Sequence, residues 1–153
     1  MKLLIFGAGN TLMRDDGFGV AVAHALADVT LPDGVEVIDG GAAALAVEGL
    51  LQEADHVILV DAAEMGKPPG TLVRFDPDQA RNAAPDRPLS LHQGDLLSTL
   101  RLLDALGQRP PVTIIAVQPQ DVSVGQGLSP PVEPAVAEAV RMVVETSGEI
   151  MQT

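Results

Sequence analysis

Residues 2–29, KLLIFGAGNTLMRDDGFGVAVAHALADV, predict a buried strand, a glycine-rich loop and a helix in direct succession. The apolar run at residues 2–7 ends at a glycine, which is typical of a strand buried on both faces. From residue 17 to about residue 29, apolar and alanine residues recur at helical spacing. A strand that passes through a short loop into a helix is the opening unit of a parallel α/β sheet.

The rest of the chain repeats this alternation of strands and helices. Further strands are predicted at residues 35–39, 56–62, 71–76 and 112–117. Further helices are predicted at residues 43–54, 90–106 and 133–148. Because such alternation covers both faces of a parallel sheet, the sequence predicts one domain over residues 1–153, a three-layer α/β/α sandwich with a mostly parallel, twisted sheet of five strands. The polar, proline-punctuated residues 76–88 are expected to form a mobile surface loop.

The composition excludes several classes of function. The chain has no cysteine, so disulfides, thiolate nucleophiles and cysteine-ligated zinc are ruled out, and Asp, Glu and His are the strong metal ligands that remain. It has 21 acidic and 9 basic side chains, a net charge of −12 and three Phe as its only aromatic residues, which argues against a nucleic-acid partner. No apolar run can span a bilayer and no signal peptide precedes the first strand, so we expect a cytoplasmic protein without a membrane partner.

The glycine-rich loop at residues 7–19 does not have the pattern of a phosphate-binding loop. The dinucleotide fingerprint needs a third glycine where Leu12 stands, and the chain has no Walker A motif. Asp15 and Asp16 would also repel a pyrophosphate. One of the two aspartates is expected to cap the following helix, and the other to point into the crevice at the carboxyl edge of the sheet, where α/β proteins bind ligands.

Two further residues are expected to form a metal site with Asp16. Asp61 ends a predicted strand and should project from the same edge of the sheet. Ser90 and Gln93 have the spacing of a capping box, which places His92 in the first turn of a helix, where the helix dipole favours the neutral imidazole that metals bind. If these elements converge, they offer two carboxylates and one imidazole, a set suited to nickel, zinc or iron(II).

Several motifs, in this order, resemble those of the hydrogenase maturation endopeptidases, which trim the large subunit of [NiFe] hydrogenases. The similarity covers nearly the whole chain. The motifs are GAGNTLMRDDGFG at residues 7–19, DGG at 39–41, VDAAEMGKPPGT at 60–71, SLHQ at 90–93, and QP at 118–119 followed by GLSPPV at 127–132.

The resemblance implies a monomeric α/β endopeptidase that removes the C-terminal extension of a large-subunit precursor once nickel has been inserted. It implies that the family's metal-binding and catalytic positions are occupied here by Asp16, Asp61 and His92. The nickel would be carried by the substrate, although other divalent ions can also occupy such a site. Substrate contacts are expected from Asp39, Gly40 and Gly41. Ala42 departs from the hydroxyl residue expected after this motif.

The mechanism of the reaction is a hypothesis, and two other functions stay open. The chain has no H-E-x-x-H helix and no G-x-S-x-G elbow. Our hypothesis is therefore that the bound metal polarises the scissile carbonyl or a water, with Asp39 as a candidate base or substrate anchor.

A receiver-like phosphoacceptor domain is one alternative function, but Gln118 and Pro119 stand where such a domain needs a lysine. A nickel carrier without peptidase activity is the other. The excess of acidic residues further suggests docking onto a basic surface of the substrate.

Overall fold

The computed structural model describes residues 1–40, 49, 52–77, 90–91, 107 and 110–152. Its strands are β1 (Leu3–Gly7), β2 (Val35–Asp39), β3 (His56–Glu64), β4 (Leu72–Phe75), β5 (Ser90–Leu91) and β6 (Val112–Val117). Its longer helices are α1 (Phe18–Ala25) and α2 (Ala135–Met151), and α1 lies between two short 3-10 turns, Arg14–Gly17 and Leu26–Asp28. The predictions at 2–7, 17–29, 35–39, 71–76, 112–117 and 133–148 are therefore confirmed, with small shifts at their ends.

The main sheet has the strand order β2-β1-β3-β6-β4. Its first four strands are parallel, and β4 pairs antiparallel with β6 at the edge. This confirms the predicted α/β fold with a mostly parallel five-stranded sheet. The carboxyl ends of β1, β3 and β6 lie side by side, so the loops that follow these strands share one edge of the sheet.

The predicted helix start at Ser90 is wrong. Ser90 and Leu91 form β5, which pairs antiparallel with Glu64 and Ala63 at the end of β3. Strand β3 runs past its last pair with β6, so its final backbone donors and acceptors need another partner, and β5 supplies it. The capping-box interpretation of Ser90 and Gln93 therefore fails, and the remainder of that predicted helix lies outside the described residues.

Side chains alternate between two apolar clusters, one on each face of the sheet. The face under α1 and α2 carries Leu3, Ile5, Ile58, Val60 and Ile115, packed against Phe18, Val22, Ala139 and Val143. The opposite face carries Leu4, Phe6, Val57, Leu59 and Ile114, with Ala54 packed against them. Residues 49, 52 and 53 are helical, in agreement with the helix predicted at 43–54, whose other residues are mostly outside the described part. The loop predicted at 76–88 is also outside it, apart from its first two residues.

Within the described ranges, no helix is both long and apolar enough to cross a bilayer.

Candidate functional site

The loop between β1 and α1 brings Asp16 and Asp61 against the same glycine. Gly9 has a φ of +128°, which favours glycine, and a Cβ there would overlap the backbone carbonyl of Asp16. The same Cβ position lies 3.6 Å from Asp61 Oδ1. A side chain at residue 9 would therefore displace the backbone that carries Asp16, at a point that lies next to Asp61. The predicted convergence of Asp16 and Asp61 at the carboxyl edge of the sheet agrees with this arrangement.

Asp16 is completely buried at the end of the loop. Its Oδ2 accepts a hydrogen bond from the backbone N–H of Asn10 at 2.8 Å, and its own N–H donates to the carbonyl of Met13 at 3.0 Å. The side chain of Asn10 in turn accepts from the N–H of Leu12 at 2.9 Å. The loop therefore wraps around the Asp16 carboxylate and fixes its position.

Asp61 is 3% exposed near the end of β3. Burial raises the pKa of its carboxyl group well above the ordinary value. The N–H of Ala62, which donates to Oδ1 at 2.8 Å, opposes this, and the charge of Asp16 adds to it. A buried carboxyl group beside a second acid, as Asp61 is beside Asp16, is stabilised by a proton or a cation. Their chemistry therefore suits a divalent metal, which would allow both carboxylates to stay ionised.

The third predicted ligand, His92, lies outside the described residues. It follows Leu91 in the chain, and Leu91 pairs with Ala63, two residues beyond Asp61. Among the residues that the structure describes, no three His, Cys, Asp or Glu side chains cluster closely enough to hold a metal ion. The imidazole ligand therefore stays a prediction.

Asp39 ends β2 on the face of the sheet that α1 covers. Val37, two residues earlier, packs with the cluster under α1, whereas Leu59, two residues before Asp61, packs on the opposite face. Since side chains alternate along a strand, Asp39 and Asp61 point to different faces. Asp39 Oδ2 lies 2.8 Å from Nε2 of His24 in α1. No sequence pattern predicted this pair, and the role of Asp39 in substrate binding stays a prediction.

Gly40 has a structural reason to be glycine. Its N–H donates to the carbonyl of Gly7 at 2.7 Å, and a Cβ at this position would overlap the ring of Phe6. The chain therefore leaves β2 in close contact with β1. Gly41, the third residue of the predicted substrate-binding motif, lies outside the described part.

Asp15 has a role that the sequence analysis missed. Its buried carboxylate accepts four hydrogen bonds, from the N–H groups of Gln120, Asp121 and Ser129 and from the hydroxyl of Ser129, at 2.7–2.9 Å. Burial opposes ionisation of Asp15, but these bonds outweigh it and lower its pKa. The expectation that one aspartate caps α1 is wrong, because Gly17 is the N-cap and no side chain bonds there. Asp15 instead holds the loop that follows β6.

Gln118 is the second residue whose role was missed. It is 4% exposed at the end of β6. Its Oε1 accepts from the N–H groups of Met65 at 2.7 Å and Lys67 at 3.3 Å, and its Nε2 donates to Glu64 at 2.9 Å. Gln118 therefore ties the loop after β3 to the loop after β6. The role of Gln118 could have been inferred from its position directly after a buried strand, at the edge of the sheet where Asp61 was already expected.

Known proteins resemble the chain in both sequence and fold. The model of the HycI family, described as hydrogenase maturation protease, matches residues 20–146. The hydrogenase 2 maturation protease of Escherichia coli K12 is 34% identical over 152 residues, which cover 97% of this chain and 92% of the relative. The HupD hydrogenase expression/formation protein of Bradyrhizobium diazoefficiens is 33% identical over 151 residues, which cover 97% of this chain and 79% of the relative. The solved structure of the maturating endopeptidase HybD from E. coli superposes with a TM-score of 0.84 at 32% identity, over 97% of this chain and 93% of that one.

Proposed function

The chain belongs to the hydrogenase maturation protease family and is an endopeptidase of that family; from this premise we propose that it removes the C-terminal extension of a [NiFe]-hydrogenase large-subunit precursor after nickel insertion. In this proposal, Asp16, Asp61 and His92 contact the nickel that the precursor carries. Asp39, Gly40 and Gly41 contact the precursor polypeptide. The nickel is part of the substrate, and no resident cofactor is invoked.

The observation that supports this proposal most is the pair of buried acids, Asp16 and Asp61, beside Gly9. Asp16 and Asp61 are at most 3% exposed, and they lie at the edge of the sheet where ligands of α/β proteins bind. Buried acids usually persist only where a counter-charge or a set of hydrogen bonds stabilises them. A divalent ion supplies that counter-charge, and carboxylate oxygens with one imidazole are a donor set that nickel accepts.

The same pair explains how the protein could distinguish two forms of the precursor. A nickel-loaded precursor brings positive charge to Asp16 and Asp61, so docking relieves the repulsion between them. A nickel-free precursor would cover the two acids without that relief and would therefore bind less well. Asn10 and Ala62 hold the carboxylates in place through their N–H groups before the substrate arrives, so little ordering is needed on binding. When bound, the nickel supplies a Lewis acid next to the scissile region.

The two alternative functions have less support. A receiver-like domain has no counterpart in the family match, whose description is a protease. A nickel carrier without peptidase activity would bind free nickel tightly with no partner. The experiment below separates the carrier from the endopeptidase.

The test is the intact mass of a large-subunit precursor from the same organism after incubation with the protein. We expect a C-terminal peptide to be lost from the nickel-loaded precursor and retained by the nickel-free form. The His92→Ala variant should leave the nickel-loaded precursor intact while keeping the wild-type melting temperature. Asp28→Asn, a change at an exposed acid in the turn after α1, serves as the matched control and should process normally. Full processing by His92→Ala would overturn the assignment of His92.

We also propose that the protein acts as a monomer in the cytoplasm. Light scattering should then give a mass near 15.9 kDa at assay concentrations. A mass twice as large would contradict the monomer.

A further inference from the structure

Exposed apolar side chains are concentrated beside the candidate site. In the described part of the chain, the large apolar residues that solvent reaches most are Met1 at 61%, Leu12 at 57%, Val122 at 39% and Val124 at 79%. Met1 is the terminal residue, and the other three lie on the two loops that follow β1 and β6. Isolated exposed apolar residues are common, but a group of them on adjoining loops marks a surface that another molecule covers. We refer to Leu12, Val122 and Val124 as the apolar rim.

Backbone pairing places two of these residues side by side. The N–H of Gly125 donates to the carbonyl of Leu12 at 2.9 Å, and the N–H of Arg14 donates to the carbonyl of Gly125 at 3.0 Å. Met13 and Gly125 form a parallel β-bridge. Leu12 and Val124 each directly precede a residue of that bridge, so they are neighbours across it.

Hydrogen bonds hold the loop that carries Val122 and Val124 in place. Asp15 holds the loop after β6 with four hydrogen bonds to Gln120, Asp121 and Ser129. Asp121 Oδ1 accepts from the N–H and the hydroxyl of Ser123, at 2.8 and 2.6 Å, and so closes a turn around Val122. The apolar side chains therefore extend into solvent from backbone that hydrogen bonds hold in place, so the conformation of the two loops keeps them in contact with water.

The apolar rim is also continuous with the buried acids. The N–H of Leu12 donates to the side-chain oxygen of Asn10, whose own N–H donates to the carboxylate of Asp16. One residue thus links the candidate metal ligand to the apolar surface. A polypeptide whose metal centre reaches Asp16 would therefore lie close to the loop that carries Leu12.

We propose that the apolar rim is the docking surface for an apolar stretch of the precursor polypeptide next to its metal centre. This inference rests on the proposed function and adds the chemistry by which the polypeptide is held. The acids recognise the charge that the precursor carries, and the rim buries apolar side chains of the chain around it. Because burial of apolar surface is insensitive to ionic screening, this part of the binding should persist when salt is added.

The experiment compares two double variants at the same positions. In Leu12→Ser with Val124→Ser, the apolar contacts are removed; in Leu12→Met with Val124→Ile, polarity and approximate size are kept. Processing of the nickel-loaded precursor is followed by mass, and kcat and KM are measured separately. We expect KM of the serine variant to rise about tenfold, which is typical of losing two apolar interface contacts, with kcat within about twofold of wild type. The Met/Ile variant should keep the KM of wild type. Both positions are exposed, so both variants should melt like wild type.

The possible outcomes separate this inference from the proposed function. If the wild-type protein does not process the nickel-loaded precursor, the proposed function fails, and this inference fails with it. If the wild type is active and the serine variant keeps its KM, or loses only kcat, the docking surface is wrong and the endopeptidase proposal stands. A serine variant that changes from dimer to monomer in light scattering, with an unchanged KM, would show that a second copy of this chain covers the rim, and would also overturn the inference.

Discussion

The two edges of the sheet distribute charged and apolar side chains in opposite ways. At the amino edge, the charged groups are exposed and paired: Lys2 lies 3.3 Å from Glu53 and 3.8 Å from Glu36, all at the surface. At the carboxyl edge, Asp15, Asp16 and Asp61 are buried, and the apolar rim is exposed. The ion pairs of the amino edge follow the usual partition of a folded protein, whereas the three buried acids and the apolar rim of the carboxyl edge depart from it. Buried acids and exposed apolar side chains are unfavourable unless hydrogen bonds, a ligand or a partner compensate for them, and this supports the site proposed at the carboxyl edge.

A second contrast lies within the carboxyl edge. Asp15 and Asp61 are both buried acids, but hydrogen bonds from the protein lower the pKa of Asp15 despite the opposing effect of burial, whereas burial and the neighbouring charge of Asp16 raise the pKa of Asp61. Burial alone therefore does not distinguish an acid that the protein itself stabilises from one that it stabilises poorly. The partners of each carboxylate make the distinction, and changes at the two positions should have opposite consequences.

The largest expected effect is on activity, at Asp61. Asp61→Asn keeps the shape of the side chain and removes a buried charge that the protein stabilises poorly. Processing of the nickel-loaded precursor should fall by more than about a hundredfold, since even residues that only support metal ligands are worth 10–100-fold. The melting temperature should stay equal or rise. An active Asp61→Asn variant, or one that is strongly destabilised, would make Asp61 a structural acid and remove the contrast with Asp15.

The next largest effect is on stability, at Asp15. Asp15→Asn replaces two acceptor oxygens with one and turns an NH₂ group toward donors. We expect the free energy of unfolding to fall by about 3 kcal/mol, because hydrogen bonds to a buried charged group are lost. Ser129→Ala, which removes one of the four bonds, should cost about 1 kcal/mol. Urea denaturation measures both. Equal stability of wild type and Asp15→Asn would show that the loop after β6 is not held by this carboxylate.

A smaller effect is expected at the amino edge, where His56 should make the stability of the protein depend on pH. His56 is half-buried at the start of β3, with Nε2 at 3.0 Å from the hydroxyl of Thr113. Burial lowers its pKa, and the charge of Arg74 lowers it further. The unfolded chain therefore binds this proton at a higher pH than the folded protein does. The contribution of His56 to stability should decrease as pH falls through the ordinary histidine range near 6.5 and level off below the folded pKa.

The control for this pH effect is a variant that does not titrate. His56→Gln can still bond Thr113, so its denaturant midpoint should lose less between pH 7.5 and 5.5 than the midpoint of wild type does. Parallel curves for the two proteins would mean that His56 does not contribute to the pH dependence.

The smallest effect is expected at Lys2. Its side chain is 38% exposed, and ion pairs in solvent contribute little. Lys2→Gln should change the free energy of unfolding by less than about 0.5 kcal/mol and leave processing unchanged. A loss of processing in this variant would extend the functional surface to the amino edge and contradict the difference between the two edges.

Local sequence patterns predict most of the fold because most strands are buried apolar runs. The bounds of β2 and β6 agree with the prediction. Strand β2 ends at Asp39 before a glycine, and β6 is preceded by a proline and followed by Gln118 and Pro119. The prediction failed at Ser90, where the same residues are compatible with both a capping box and a short strand. Only the unpaired end of β3 decides between them, and no local pattern contains that information.

The residues of the candidate site were also predictable only in part. Asp16 and Asp61 were identified because a loop after a first strand and the end of a parallel strand meet at one edge of a sheet. The role of Asp15 could not be predicted, because its partners lie 105 to 114 residues away in the chain. The position of Asp39 on the other face follows from the register of β2 against β1, which becomes known only when the sheet is assembled.

The most direct test is the affinity of the protein for nickel-loaded and nickel-free precursor, measured side by side for wild type, Asp61→Asn and Asp15→Asn under conditions in which all three are folded. Wild type and Asp15→Asn should bind the nickel-loaded precursor more tightly than the nickel-free form, and Asp61→Asn should bind both forms equally. If Asp61→Asn still prefers the nickel-loaded precursor as strongly as wild type does, the buried acids at the carboxyl edge do not recognise the metal.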